Sequence, residues 1–142
     1  MTADAVTQVP ITSDVQIVGA RQAVREAAVA AGFSLVEQTK LVTAASELAR
    51  NTLVHGGGGR LEITTLGGPD RRGIRLTFTD SGPGIPDVAA ALSDGYTTGQ
   101  GLGLGLGGAR RLVHDFAIDT GPGRGTTVTV TSWPRAARRV SP

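Results

Sequence analysis

Residues 99–108 read GQGLGLGLGG, and this run limits the possible folds more than any other stretch of the chain. Six of its ten residues are glycine, which lets a backbone turn sharply or approach a ligand closely. The run could be a flexible linker or a backbone shaped to bind an anion. Leu102, Leu104 and Leu106 oppose the linker interpretation, because serine is the usual partner of glycine in a solvated linker.

Two common phosphate-binding motifs do not fit this run. A P-loop needs Gly-Lys-Ser/Thr, but the one lysine of the chain is Lys40. A G-x-G-x-x-G pattern fits Gly103, Gly105 and Gly108, but that fingerprint follows a strand in a parallel βαβ unit. Here a long loop precedes the run and a hairpin pattern follows it. We therefore expect a glycine-rich turn that leads into a helix and binds phosphate in another geometry.

Composition excludes several classes of function. The chain has 142 residues and no cysteine, which rules out disulfides and cysteine-based zinc sites. It contains no apolar stretch of about 18 residues and no secretory signal, so we expect a cytoplasmic protein that does not bind membranes. A net charge of +2 and an aromatic content of 4% oppose a nucleic-acid surface.

The order of predicted elements indicates an α+β two-layer sandwich, with a mixed, mostly antiparallel sheet and helices on one face. We expect a flexible N-terminus at 1–11, one domain at 12–134 and a basic tail at 135–142. The predicted elements are a strand at VQIV (15–18), a helix at RQAVREAAVAAG, a helix over about 35–54, a hairpin of RLEITTL and GIRLTFTD, a loop at 81–103 with a short helix at DVAAAL, a helix at GGARRLVHDF, and a hairpin of AIDTG and TTVTVTSW.

A carboxylate and an amide lie four residues apart in the sequence ELARN. In the predicted helix this spacing puts Glu47 and Asn51 on one face. The amide oxygen is a hard ligand that suits Mg²⁺, and a nearby carboxylate can accept a proton. On these two residues alone, however, an ordinary solvated helix face is the better interpretation.

A second polar group follows the predicted strand GIRLTFTD. The Asp80 carboxylate can accept a hydrogen bond from an exocyclic amine such as that of adenine. Gly82 and Gly84 let the backbone approach a flat ring, although an Asx-type turn is an alternative. The Thr126 hydroxyl, at the start of the last predicted strand, could reach the base or Asp80, or Thr126 could simply be a β-branched residue that begins a strand.

In this order the four elements resemble the GHKL (Bergerat) ATPase family, which includes histidine kinases, type II topoisomerases, Hsp90 and MutL. The resemblance covers about residues 12–134 and implies the Bergerat fold with ATP and Mg²⁺ as cofactors. It implies that Glu47 is the catalytic residue, that Asn51 binds Mg²⁺ at the nucleotide and that Asp80 binds the adenine amine. The other residues that it implies in nucleotide binding are Gly82, Gly84, Ile85, Thr97, Thr98, Gly101, Leu102, Gly103, Leu104, Gly105, Leu106 and Thr126.

The length and three segments narrow the resemblance within the family. We expect that 142 residues leave no room for the phosphoacceptor hairpin of a histidine kinase or the further domains of a topoisomerase. The sequences ASELARNTLVHGGGG, DSGPGIPDVAAALSDGYTTGQGLGLGLGGARRL and GTTVTVTSWPR are similar to small serine/threonine kinases of partner-switching systems, of the RsbT-type stressosome branch. This implies phosphorylation of a STAS-domain protein and docking on a PP2C-type phosphatase, to regulate a stress-response sigma factor. One alternative is an anti-sigma factor that sequesters a sigma factor directly, and another is a non-catalytic regulator that binds ATP and activates a phosphatase by docking. The oligomeric state stays open.

Overall fold

Two long helices form one layer of the molecule in a computed structural model that describes residues 6–68, 70–93 and 105–135. Helix α1 spans Asp14–Ala30 and helix α2 spans Leu35–Val54. Small and apolar residues at helical spacing line their inner faces, and alanine lets both helices pack closely on the layer beneath. The buried residues of the two helices are Ile17, Ala20, Val24, Ala28, Leu41, Val42, Ala44, Ala45, Leu48, Ala49 and Thr52.

The second layer is a five-stranded sheet with the order β1-β2-β3-β5-β4. Strand β1 spans Val6–Ile11, β2 spans Gly59–Gly68, β3 spans Arg71–Asp80, β4 spans Asp115–Gly121 and β5 spans Gly125–Ser132. All four pairings are antiparallel, and β2–β3 and β4–β5 are hairpins. The predicted α+β two-layer sandwich with a mostly antiparallel sheet is confirmed.

Alternation along the strands directs one set of apolar side chains toward the helices. On β3, Ile74, Leu76 and Phe78 are buried, whereas Arg75 is exposed and Thr77 is half-buried. The core therefore lies between the helices and one sheet face. Of the helices in the described part of the chain, not one is long and apolar enough to cross a membrane.

The first predicted strand is wrong. Residues 15–18 lie inside α1, because Ile17 belongs to the same buried helical repeat as Ala20 and Val24. The first strand is instead Val6–Ile11, which lies entirely within residues 1–11, the segment predicted to be a flexible N-terminus. It pairs at the edge of the sheet, where Pro10 is tolerated because no further strand needs its missing N–H.

Two short helices lie between β3 and β4. Helix α3 spans Val88–Ala91, as predicted, and helix α4 spans Gly105–Arg111. The predicted fourth helix therefore begins earlier and ends earlier than its sequence pattern indicates. The backbone N–H of His114 donates to Thr131 O at 3.1 Å, which draws the chain into the sheet before the helix can continue.

One carboxylate joins the start of α2 to the end of the chain's last described segment. Glu37 accepts hydrogen bonds from the backbone N–H of Ser34 and from that of Arg135, each at 2.7 Å. The Ser34 backbone N–H is the largest influence on Glu37 and lowers its pKa; partial burial opposes this, and the Arg135 N–H adds to the lowering. The ionised side chain therefore stabilises both the α2 N-terminus and the exit from β5.

Glu37→Gln should lower the free energy of unfolding at pH 7 by about 0.5–1 kcal/mol, because two charge-assisted hydrogen bonds become neutral ones. Since the folded-state pKa lies below the ordinary 4.5, this contribution is fully present above 4.5 and is lost as the pH falls through the folded value. Urea unfolding at pH 7 and at pH 3 measures it. Glu26→Gln on α1 is the matched control and should not reproduce the loss at pH 7. A difference between Glu37→Gln and the wild type that does not shrink between pH 7 and pH 3 would contradict the assignment.

Candidate functional site

Helix α2 carries the predicted carboxylate and amide on a half-buried face. Leu48 and Thr52 are buried in the core, whereas Glu47 and Asn51 are half-buried. The Asn51 carbonyl accepts the backbone N–H groups of His55 and Gly56, at 3.0 and 3.1 Å. The Asn51 side chain has no hydrogen bond among the described residues, so its amide oxygen can take a ligand.

The chain leaves α2 directly against the end of β3. A Cβ placed on Gly56 would overlap the Asp80 side chain, so only glycine allows this approach. A Cβ on Gly82 would lie 2.8 Å from Gly56 Cα, so the turn after β3 packs on the same backbone. The helix exit and the strand end thus form one close-packed corner around Asp80. From the sequence, Gly56 is predicted only to end the helix. Its contact with Asp80 depends on the tertiary structure.

The turn after β3 is held by side-chain oxygens. Asp80 Oδ1 accepts the Gly82 N–H at 2.9 Å, which is the Asx-type turn that was the alternative to a ligand-binding role. Asp80 Oδ2 has no hydrogen-bond donor among the described residues, so the same carboxylate can do both. Gly84 has a φ of +85°, and a Cβ there would overlap Gly121 O, so glycine is needed for this turn to lie against the β4–β5 hairpin.

Two threonines connect the turn to the neighbouring strands. Thr126 lies opposite Asp80 in the β3–β5 register and is 8% exposed. Its hydroxyl lies 2.9 Å from the hydroxyl of Thr120 on β4, which also accepts the Ile85 N–H at 2.9 Å. Sequence reasoning missed Thr120, because a threonine inside a strand pattern carries no local sign of a contact across the sheet.

The start of α4 contacts the carboxylate on α2. The Gly105 N–H donates to Glu47 Oε1 at 3.3 Å, and Leu106 is 6% exposed in the core. These two residues are the described end of the predicted lid. Six other predicted nucleotide-binding residues lie outside the described residues: Thr97, Thr98, Gly101, Leu102, Gly103 and Leu104.

The donor set was tested for the Mg²⁺ that the resemblance implies. The described residues contain no group of three His, Asp or Glu side chains that could enclose a metal. They offer the Asn51 amide with Glu47 one turn before it. Magnesium commonly binds through one or two protein oxygens together with waters and substrate phosphates, so this sparse set fits the ion in a nucleotide complex and not as a permanent metal centre.

Comparison with known proteins places the chain among nucleotide-dependent enzymes. The sequence profile of the family described as histidine kinase-, DNA gyrase B-, and HSP90-like ATPase matches residues 36–137. The serine/threonine-protein kinase RsbT of Bacillus subtilis is 39% identical over 127 residues, which are 89% of this chain and 96% of that protein. The anti-sigma F factor of Bacillus licheniformis is 34% identical over 103 residues, 67% of this chain and 68% of that protein.

Solved structures show the same fold. The RsbU and RsbW domains of a Mycobacterium tuberculosis protein match with a TM-score of 0.63 and 23% identity, over 99% of this chain and 35% of that one. The catalytic domain of the histidine kinase ThkA matches with a TM-score of 0.50 and 18% identity, over 92% of this chain and 95% of that one.

Gly56→Ala should destabilise the protein by about 1–3 kcal/mol, because the added methyl group must displace Asp80. The Gly82 amide should also exchange faster with solvent as its bond to Asp80 Oδ1 is lost. Chemical unfolding and amide hydrogen exchange measure the two effects. Gly19→Ala is the matched control: it meets open space in α1 and should stabilise the helix by about 0.5–1 kcal/mol. Unchanged Gly82 protection in Gly56→Ala would show that the corner does not need a glycine.

Proposed function

Because the chain belongs to the histidine kinase-, DNA gyrase B-, and HSP90-like ATPase family, we propose that it is an ATP-dependent serine/threonine kinase of STAS-domain proteins. The observation that carries the proposal is the arrangement of one helix. α2 bears Glu47 and Asn51 on one face, and the Gly56 backbone at its exit packs on Asp80. Groups suited to phosphoryl transfer and a group suited to a purine amine thus sit on one rigid unit. The extent of the similarity to RsbT supports the choice of reaction.

We assign separate roles to the groups of this unit. Asp80 accepts the exocyclic amine of adenine through Oδ2, while Oδ1 stays on the Gly82 N–H. Asn51 would hold Mg²⁺, which when bound neutralises phosphate charge and orients the transferred group. The segment that includes Gly105 and Leu106 would close over the phosphates. ATP supplies the phosphoryl group, and a Ser or Thr hydroxyl of the partner is the acceptor.

Glu47 is proposed as the catalytic residue. Its carboxylate is half-buried and lies one turn before Asn51, on the same face. In that position it can orient the partner's hydroxyl and accept its proton as the oxygen attacks phosphorus. Positioning and charge stabilisation provide most of the remaining rate enhancement in phosphoryl transfer, so the rigidity of α2 is itself part of the proposal.

The same fold is also compatible with a second function. The match to the anti-sigma F factor of Bacillus licheniformis favours direct capture of a sigma factor as the alternative. In the main proposal the chain instead switches between a STAS-domain antagonist and a PP2C-type phosphatase, and thereby regulates a stress-response sigma factor. The similarity to RsbT spans most of both proteins, and the similarity to the anti-sigma F factor spans about two thirds, so we favour the kinase switch.

Glu47→Gln should slow phosphate transfer by roughly 100-fold or more, because an amide cannot accept the proton. Labelled ATP, Mg²⁺ and the STAS-domain proteins of the same genome provide the assay. ADP affinity, measured by calorimetry, should change little in this variant, because the assigned adenine contact is Asp80. Glu62→Gln is the matched control, since Glu62 accepts a hydrogen bond from Gln8 on the sheet face that points away from the helices.

Two results would overturn this assignment. Transfer at the wild-type rate by Glu47→Gln would remove Glu47 from catalysis. Absence of transfer to every STAS-domain protein, together with co-purification of a sigma factor in an ATP-dependent manner, would replace the kinase proposal with the anti-sigma alternative.

A further inference from the structure

A row of four residues crosses the sheet at the end near Asp80. Gly59 pairs with Asp80, Asp80 with Thr126, and Thr126 with Thr120, on β2, β3, β5 and β4. Directly opposite residues in antiparallel strands present their side chains on the same face, so the three side chains of this row lie beside one another. Thr120 therefore stands next to Thr126 and one strand farther from Asp80.

The Thr120 hydroxyl has three polar neighbours. It lies 2.9 Å from the Ile85 nitrogen, 3.1 Å from Gly125 O and 2.9 Å from Thr126 Oγ1. A backbone N–H can only donate and a carbonyl can only accept, while a hydroxyl has one hydrogen and two lone pairs. Thr120 must therefore accept from Ile85 and donate to Gly125. Its second lone pair is left for Thr126, which must be the donor if all three contacts are hydrogen bonds.

This assignment fixes the polarity of Thr126. Its single hydrogen points to Thr120, so the Thr126 oxygen presents only lone pairs to the rest of the site. Asp80, directly opposite, is a carboxylate and also only accepts. A Thr126 without this neighbour could rotate its hydrogen outward and donate. The hydrogen bond to Thr120 is thus the feature that makes Thr126 an acceptor like the Asp80 carboxylate beside it.

We infer that Thr120 is a positioning residue that holds Thr126 as a hydrogen-bond acceptor beside Asp80, so that the site selects a 6-amino purine over a 6-oxo purine. The inference rests on the proposed adenine nucleotide site. A 6-amino group donates two hydrogens to such a pair of acceptors, whereas a 6-oxo group brings a third acceptor against them. Discrimination of this kind is strong, because a buried polar group left unpaired is costly.

The experiment compares ADP with inosine diphosphate, which has an oxygen where ADP has the 6-amino group. Calorimetry with Mg²⁺ gives both affinities for the wild type, Thr120→Val and Thr120→Ser. The ADP-to-IDP preference should fall about tenfold in Thr120→Val, because Thr126 regains the freedom to donate to the 6-oxo group. Thr120→Ser keeps the hydroxyl and should keep most of the preference. Thr127→Val, at the next residue of β5 and on the other face, is the matched control and should match the wild type.

The ratio of the ADP and IDP affinities separates a positioning role of Thr120 from a purely structural one. Loss of a purely structural residue would weaken the binding of ADP and IDP by the same factor. An unchanged ratio in Thr120→Val, with ADP still preferred by the wild type, overturns the inference and leaves the proposed function standing. A wild type that binds neither diphosphate overturns both. If Thr120→Val does not fold, the wild type is tested with purine riboside diphosphate, an ADP analogue that has no 6-substituent. It should bind more weakly than ADP and more tightly than IDP, and IDP binding at least as tightly as this analogue would overturn the inference.

Discussion

The approach of the Gly56 backbone to the Asp80 side chain is the contact on which the rest of the site depends. It joins the exit of α2 to the end of β3, so the helical layer and the sheet meet at one corner where the Gly56 backbone lies directly on the Asp80 side chain. Residues on α2 and residues at the ends of β3 and β5 are thereby held in a fixed relation. Neither layer alone could provide that, since each contributes only part of the polar set. This corner requires glycine at position 56 alone. In the rest of the run HGGGG, Gly57 and Gly58 have positive φ, and a Cβ on Gly59 would overlap Thr79 O.

The order of the sheet brings further polar groups to the same corner. β5 lies between β3 and β4, which brings Thr126 opposite Asp80 and Thr120 opposite Thr126. The β4–β5 hairpin can then support the turn after β3 through the Ile85 N–H, and Gly84 can lie against Gly121. A sheet with β4 beside β3 would separate Thr126 from Asp80. The pairing of β5 with β3 therefore places the polar residues of the two hairpins in one continuous row across the sheet.

Much of the fold and part of the site could be predicted from the sequence. The hairpins follow from alternation and turn residues, and the long helix follows from its repeat and its glycine exit. The strand prediction at residues 15–18 is wrong because a short apolar run with β-branched residues fits both a strand and one turn of an amphipathic helix. Val6–Ile11 was missed because Pro10 weakens a strand pattern, and only edge position makes it acceptable. Residue type and spacing made Glu47, Asn51 and Asp80 candidates, but only the family resemblance implied roles for them. Gly56 and Thr120 act across the tertiary structure, where a single sequence gives no sign.

The hydrogen bond from Gly105 to Glu47 links the two ends of the proposed site. At 3.3 Å it is long for an N–H to carboxylate contact, so it contributes less than the 2.7 Å bonds that Glu37 accepts at the other end of α2. A strong bond at Glu47 would hold the carboxylate away from an incoming hydroxyl, whereas a weak one can be exchanged for it. α2 thus has a firmly fixed N-terminus, a close-packed exit at Gly56 and, between them, a carboxylate whose partner is easily replaced. These strong contacts at both ends keep α2 rigid, while the weak contact leaves the Glu47 carboxylate able to bind a new partner.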